Sequence, residues 1–122
     1  MAVNPSKDDL ERLFTEDQGG PVVMLNLLRF ASGGRDPYRE YLRRSAPFLK
    51  RYGGRLVYAG QGSTALVAEQ GQAWDAVLVV EYPSREAFLD MIADPGYREL
   101  TPLRTAALSE AVLQATVPGP PV

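Results

Sequence analysis

The stretch PVVMLNLLRF, residues 21–30, is an almost continuous apolar run with one amide, Asn26, in its middle. Its length and the Gly19-Gly20 pair before it are typical of a strand. Side chains alternate between the two faces of a strand. One face would carry Val23, Leu25 and Leu27, and the other Val22, Met24 and Leu28 beside Asn26. Both faces are apolar, which predicts a strand that is covered on both sides.

Signals for further helices and strands lie on either side of this run. Before it, Asn4-Pro5 is typical of the N-cap and first turn of a leading helix, which Gly19-Gly20 ends. After it, Asp36-Pro37 opens a helix that runs to Gly53-Gly54, with a bend expected at Pro47. A strand is predicted over 55–60, and 63–69 is a candidate extension of its hairpin. A strand over 74–82 follows, and Pro83-Ser84 then opens a helix. Asp94-Pro95 caps a further helical piece with a break at Pro102, and the last strand is predicted over 110–117.

Without the leading helix, the order of elements is β, α, β, β, α, β. This order predicts an α+β fold of the split βαβ or ferredoxin-like type, in which an antiparallel sheet carries its helices on one face. We therefore expect an N-terminal helical extension over 1–20, a ferredoxin-like domain over 21–117 and a disordered tail over 118–122.

The helices of such a fold cover only one side of the sheet. The run over 74–82 is also apolar on both faces, with Ala76, Leu78, Val80 and Tyr82 on one and Val77 and Val79 on the other. An uncovered apolar patch of roughly several hundred square ångströms would remain, a size that marks interfaces. We predict a homodimer that buries this patch. The alternative is that the leading helix folds under the sheet.

The composition excludes several classes of site and partner. The 122 residues include 13 basic and 15 acidic side chains, for a net charge of −2. The chain therefore lacks the excess of positive charge that binds nucleic acid or anionic membranes. Cysteine and histidine are absent, which removes thiolate nucleophiles and the usual metal ligands and general base. We expect neither a metal nor a cofactor. The polar N-terminus and the lack of a long apolar run predict a cytoplasmic protein without a membrane span.

The chain resembles the dimeric α/β-barrel superfamily, and more closely its uncharacterised family called domain of unknown function 1330. The resemblance rests on four stretches within 22–117: MLNLLRF, YREYLRRSAPFLKRYGGRLVYAG, WDAVLVVEYPSREAF and DPGYRELTPLRTAAL. It implies that two sheets face each other in a closed barrel with a cavity. Members include cofactor-free oxygenases, isomerases, haem-degrading enzymes and proteins of no known activity, so the fold does not settle the function. The lack of histidine counts against the haem-degrading branch.

Asn26 is the first candidate site residue. We assign its face, shared with Met24 and Leu28, to the barrel interior rather than to the helices. A buried amide needs hydrogen-bond partners, so it either orients a ligand carbonyl or stabilises an oxyanion, or it is satisfied by neighbouring groups or trapped water. An Asn and a Trp can line the cavity in the superfamily's oxygenases and haem-degrading members. The resemblance implies Asn26 and Trp74 as loose counterparts.

Three other side chains are candidates for binding or proton transfer. A buried Glu81 could act as a general base, whereas at the barrel rim it would be a solvated carboxylate or the partner of Arg29, Arg55 or Arg104. Arg104 lies among apolar residues and either clamps an anionic substrate or extends its charged end to solvent. Tyr58, on a strand, is the tyrosine that we place near a cavity, and the helical tyrosines are assigned to packing.

Three functions are compatible with these residues. The first is a homodimeric barrel that binds a small apolar or aromatic molecule. The second is a cofactor-independent oxygenase or isomerase acting on an activated aromatic or lactone, in which Asn26 stabilises an anion and Glu81 or Tyr58 moves a proton. Since no cofactor supplies the chemistry, such a substrate would have to be reactive itself. The third is an interaction module with a filled core.

Overall fold

The computed structural model describes residues 1–121, which form five helices and four strands. The helices are α1 (Lys7–Thr15), α2 (Arg35–Arg51), α3 (Arg85–Ala93), α4 (Pro95–Arg98) and α5 (Thr101–Ala107). The strands are β1 (Val22–Phe30), β2 (Arg55–Gln61), β3 (Ala76–Tyr82) and β4 (Leu108–Thr116). Residues 117–121 form neither helix nor strand, and the predicted tail over 118–122 ends at Val122, outside the described residues.

The strands form one antiparallel sheet in the order β2-β3-β1-β4. The predicted strand VVMLNLLRF is β1, which lies in the interior of the sheet between β3 and β4. This order and the two helical connections confirm the predicted ferredoxin-like α+β fold with an additional N-terminal helix. In the register of β1 and β3, Asn26 is opposite Leu78 and Val23 is opposite Glu81.

Local capping explains where the helices begin. Ser84 is the N-cap of α3, as its position after Pro83 predicts, and its Oγ accepts a hydrogen bond from the backbone N–H of Ala87 at 3.0 Å. Asp94 caps α4 in the same way, through the N–H of Gly96. The predicted cap of α1 at Asn4 is wrong, because Ser6 and Asp9 form a reciprocal capping box two residues later. Asn4 instead turns its side chain towards α5.

The predicted strand extension over 63–69 is also absent from the described residues. Beyond Gln61, the last contact that continues the β2–β3 ladder is the hydrogen bond from Gly62 N–H to the Asp75 carbonyl, at 2.8 Å. Residues further along have no strand to pair with, and 62–75 form a loop. Leu66 and Val67 in this loop are 91% and 97% exposed.

The helices cover the face of the sheet that carries Asn26. Val22, Met24 and Leu28 of β1 are buried in the same cluster as Tyr41 of α2 and Phe88 of α3. The assignment of this face to a barrel interior away from the helices is therefore wrong. Because both faces of β1 are apolar, hydropathy could not distinguish the face that packs against the helices.

The leading helix lies on this same side of the sheet. Its C-terminal turn accepts a hydrogen bond from Arg85 of α3 to the Leu13 carbonyl, at 3.1 Å. The chain before it runs beside β4, where the Ala2 carbonyl accepts from the N–H of Ala111 at 2.8 Å. The alternative in which α1 folds under the sheet is therefore wrong. Within residues 1–121, no element covers the opposite surface, which we call the open face: Val23, Leu25, Leu27, Val77 and Val79.

Candidate functional site

A cavity of about 900 Å³ lies between the helix-covered face of the sheet and the helices. Most of its wall is apolar, and a few polar side chains converge on it. The residues that matter for its chemistry are Met24, Asn26, Leu78 and Leu113 from the sheet, Tyr38 and Tyr41 from α2, Tyr97 from α4 and Arg104 from α5. The cavity therefore combines an apolar wall with amide, phenol and guanidinium groups.

Buried tyrosines form the helical wall of the cavity. Tyr38 and Tyr41 are three residues apart, so both point from α2 to the sheet, and their ring centroids are 5.4 Å apart. The hydroxyl of Tyr41 is 2.5 Å from the hydroxyl of Tyr97, which makes a buried phenol pair. Burial raises the pKa of Tyr38 to about 12 and holds the pKa of Tyr41 well above its usual value. At neutral pH these groups are uncharged phenols, which can donate hydrogen bonds.

The amide of Asn26 has little bonding within the protein. Its Nδ2 donates to the carbonyl of Met24 at 3.4 Å, a long contact, and this is its one side-chain hydrogen bond to the described residues. The side chain is half-buried and lines the cavity. An amide in this setting has both donor and acceptor capacity left for a bound molecule.

The guanidinium of Arg104 is held against the N-terminal segment. Arg104 is only 7% exposed, and its Nη1 donates to the carbonyl of Val3 at 2.7 Å and to Oδ1 of Asn4 at 2.8 Å. Asn4 is fixed in turn by its Nδ2, which donates to Oγ1 of Thr105 at 2.9 Å. The prediction that Arg104 extends its charged end to solvent is therefore wrong, and the alternative of an anion clamp stays a prediction.

Glu81, Tyr58 and Trp74 are not part of this cavity. Glu81 is on the open face, where Oε1 accepts from Nε of Arg55 at 2.8 Å, which confirms one of its predicted ion pairs. Tyr58 is opposite Val79 and is 55% exposed. Trp74 precedes β3, and its ring is stacked under the guanidinium of Arg29 at 4.5 Å. Of the predicted site residues, the cavity brings together Met24, Asn26 and Arg104.

Sequence reasoning missed the tyrosines and Asn4 as cavity residues. The helical tyrosines are assigned to packing, and Tyr38 and Tyr41 are indeed buried, but they also line the cavity. For Asn4 the sequence predicts a helix cap, because an Asn-Pro pair is a frequent helix start. The signal for the phenol pair would have been a third tyrosine, Tyr97, in the short helix that Asp94-Pro95 opens, since the Tyr97 ring packs against Tyr41 of α2.

Among the described residues, no group of three or more His, Cys, Asp or Glu side chains is placed to hold a metal ion. Over the same residues, no helix combines the length and the apolar character needed to span a membrane.

Comparison with known proteins identifies a family, one relative and two proteins of similar fold. The family profile described as domain of unknown function (DUF1330) matches residues 28–116. The RPA0582 protein of unknown function from Rhodopseudomonas palustris is 36% identical, with a TM-score of 0.89 and 98% of each chain covered. At3g17210 from Arabidopsis thaliana is 17% identical with a TM-score of 0.61, over 81% of this chain and 96% of that one. A NIPSNAP family protein of unknown function from Agrobacterium tumefaciens is 17% identical with a TM-score of 0.58, over 82% and 88% of the two chains. At these identities, At3g17210 and the NIPSNAP protein show a shared fold and nothing more. No curated protein matches.

Proposed function

Because this chain belongs to the DUF1330 family, whose description names no activity, we propose a function from the cavity itself: the protein binds a small, largely apolar or aromatic molecule between its sheet and its helices. The observation that carries the proposal is the cavity of about 900 Å³ with apolar walls and convergent polar groups. Small-molecule sites have these properties, with volumes of roughly 300–1,000 Å³. An interaction module with a filled core would not need such a space.

The walls support a ligand with a flat or branched apolar body. Met24, Leu78 and Leu113 line the sheet side, and Phe88 and Met91 line the helical side. A ligand of that kind would gain roughly 25 cal/mol for each square ångström of apolar surface that it buries. The amide of Asn26 and the phenols would fix its orientation through a small number of hydrogen bonds.

Blocking the cavity tests this proposal. Ser45 lies on α2 and lines the cavity, so Ser45→Trp would fill part of the space from a half-buried position. Its neighbour Arg44 is exposed and outside the lining, so Arg44→Trp is the matched control. We expect aromatic and alkyl probes to raise the melting temperature of the wild type and of Arg44→Trp, but not of Ser45→Trp. Equal shifts in all three proteins would contradict binding in the cavity.

The protein acts as a homodimer joined through the open face. Five aliphatic side chains on two central strands form an apolar surface that no described element covers. Leu66 and Val67 in the loop after β2 are almost fully exposed, and burial against a second chain would remove them from water. Light scattering at micromolar concentration should report twice the mass of the chain, and a monomer would contradict this assembly.

A second candidate function is a cofactor-independent oxygenase or isomerase acting on an activated aromatic or lactone. It is favoured by the free bonding capacity of Asn26, which could stabilise an anion, and by uncharged phenols in the same cavity. Glu81 and Tyr58 are on the open face, so in a single chain the proton would have to move through a cavity phenol. Oxygen uptake or substrate isomerisation with acidic phenols and lactones would test this candidate, and turnover retained by Asn26→Leu would exclude the proposed role of the amide.

A further inference from the structure

Arg104 is a buried cation without an anionic partner. It is 7% exposed, and the salt bridges among residues 1–121 do not include it. The other buried side chains of the core are apolar or uncharged phenols. A charge in such a position is strongly destabilising unless something compensates it.

The protein supplies no anion to this guanidinium. The hydrogen bonds that Arg104 donates to the Val3 carbonyl and to Asn4 Oδ1 both start at Nη1, and both acceptors are neutral. The Tyr38 hydroxyl, also neutral, lies within hydrogen-bonding reach of the guanidinium as well. A guanidinium has five N–H donors, so donors on Nε and Nη2 remain for a further acceptor. Among the described residues, every fully buried side-chain nitrogen or oxygen has a hydrogen-bond partner, so Nε and Nη2 retain some exposed surface. Arg104 itself lines the cavity.

The groups around the guanidinium suit a carboxylate. Nε and Nη2 form the planar edge that binds the two oxygens of a carboxylate in parallel. Tyr38 lines the same cavity, and the guanidinium acts on its phenol by lowering a pKa that burial raises. The phenol stays protonated at neutral pH and can donate to an oxygen of the anion. Beyond these polar groups, the wall continues as apolar side chains such as Leu78 and Met91.

We propose that the ligand of this cavity is a carboxylic acid with an apolar or aromatic body, whose carboxylate pairs with Arg104 while the body contacts the apolar wall. This inference rests on the proposed binding function and specifies the chemical class of its ligand. It also gives the N-terminal segment a role, because Val3 and Asn4 hold Nη1 and thereby orient the guanidinium for the anion.

The test compares acids with their uncharged analogues. Benzoate, phenylacetate, naphthoate and octanoate would each be titrated into the full-length protein by calorimetry, beside the corresponding primary amide. We expect the better-fitting acids to bind at least about tenfold more tightly than their amides, the scale of a charge-assisted, two-point hydrogen bond. In Arg104→Gln this preference should disappear, while amide binding stays within about twofold of the wild type.

Two variants separate recognition of the acid from a structural role of Arg104. Arg39→Gln removes a positive charge from an exposed position on α2 and should keep the preference. Arg104→Lys keeps the charge but not the planar guanidinium group, and should retain only part of the preference for acids.

If acids and amides bind the wild type equally, the carboxylate inference is wrong while ligand binding stands. If no probe binds, and Ser45→Trp matches the wild type with all of them, the proposed function fails and this inference fails with it.

Discussion

Asn26 and Glu81 lie on opposite faces of the sheet, because Asn26 is opposite Leu78 on β3 whereas Glu81 is opposite Val23 on β1. One side chain therefore lines the cavity under the helices, and the other belongs to the open face with its partner Arg55. Substitutions at these two positions should consequently affect different properties of the protein.

For Asn26→Leu, we expect a melting temperature without ligand that is unchanged or higher than that of the wild type. The amide loses only a 3.4 Å contact to the Met24 carbonyl, and its removal takes a poorly bonded polar group out of a largely apolar cavity. Ligand-induced stabilisation should fall instead. Glu81→Gln is the matched control, since it changes a polar side chain on the other face and should leave the ligand-induced shift intact. A less stable Asn26→Leu with an unaltered shift would assign the amide to structure.

Dimerisation should be sensitive to one charge on the open face. Val79 is central on this face, opposite Leu25 of β1 and Tyr58 of β2. In Val79→Glu, we expect light scattering to report a monomer, because a carboxylate would be buried without a partner in the interface. Val117→Glu makes the same change at a 64% exposed site beyond β4 and should leave the dimer intact. A dimeric Val79→Glu would exclude the open face as the interface.

The order of the elements could be predicted because apolar runs and Gly or Pro signals alternate clearly along the chain. The strand over 22–30 and the N-cap at Ser84 are examples in which a local pattern decides the local structure. The face of the sheet that carries the site could not be predicted. Both faces of β1 are apolar, so the choice depends on where α2 and α3 pack, which is a tertiary property.

The burial of Arg104 could not be predicted from the sequence either. A single arginine in an apolar helical segment is usually a side chain that extends to solvent. Here the N-terminal segment, about a hundred residues earlier in the chain, closes over the guanidinium and hydrogen bonds to it. Contacts between such distant segments leave no periodic signal, and the same is true of the Tyr41–Tyr97 pair.

The stability of the protein should depend on Asp94 at low pH. The hydrogen bond from the Tyr52 hydroxyl, at 2.7 Å, is the main cause that lowers the pKa of Asp94 below 3.8, with help from the N–H of Gly96 and from Arg51. A carboxyl whose pKa is lowered by folding stabilises the protein above its unfolded pKa, and this contribution is lost as the pH falls through the folded pKa. In Tyr52→Phe, we expect a smaller loss of stability between pH 5 and pH 3 than in the wild type, measured by urea unfolding at each pH. Tyr58→Phe, at an exposed tyrosine on β2, should keep the wild-type dependence on pH.

The Tyr41–Tyr97 pair should behave as one coupled unit. Either hydroxyl alone would be buried without its partner, so Tyr41→Phe and Tyr97→Phe should each lower the free energy of unfolding by about 1–3 kcal/mol. The double variant removes both polar groups, and its loss should be clearly smaller than the sum of the two single losses. Urea denaturation of the four proteins gives the coupling energy directly. Tyr38→Phe is a control, because its ring packs against Tyr41 but its hydroxyl is outside the pair. Additive losses would mean that the two hydroxyls do not depend on each other, and that water entering the cavity satisfies whichever one remains.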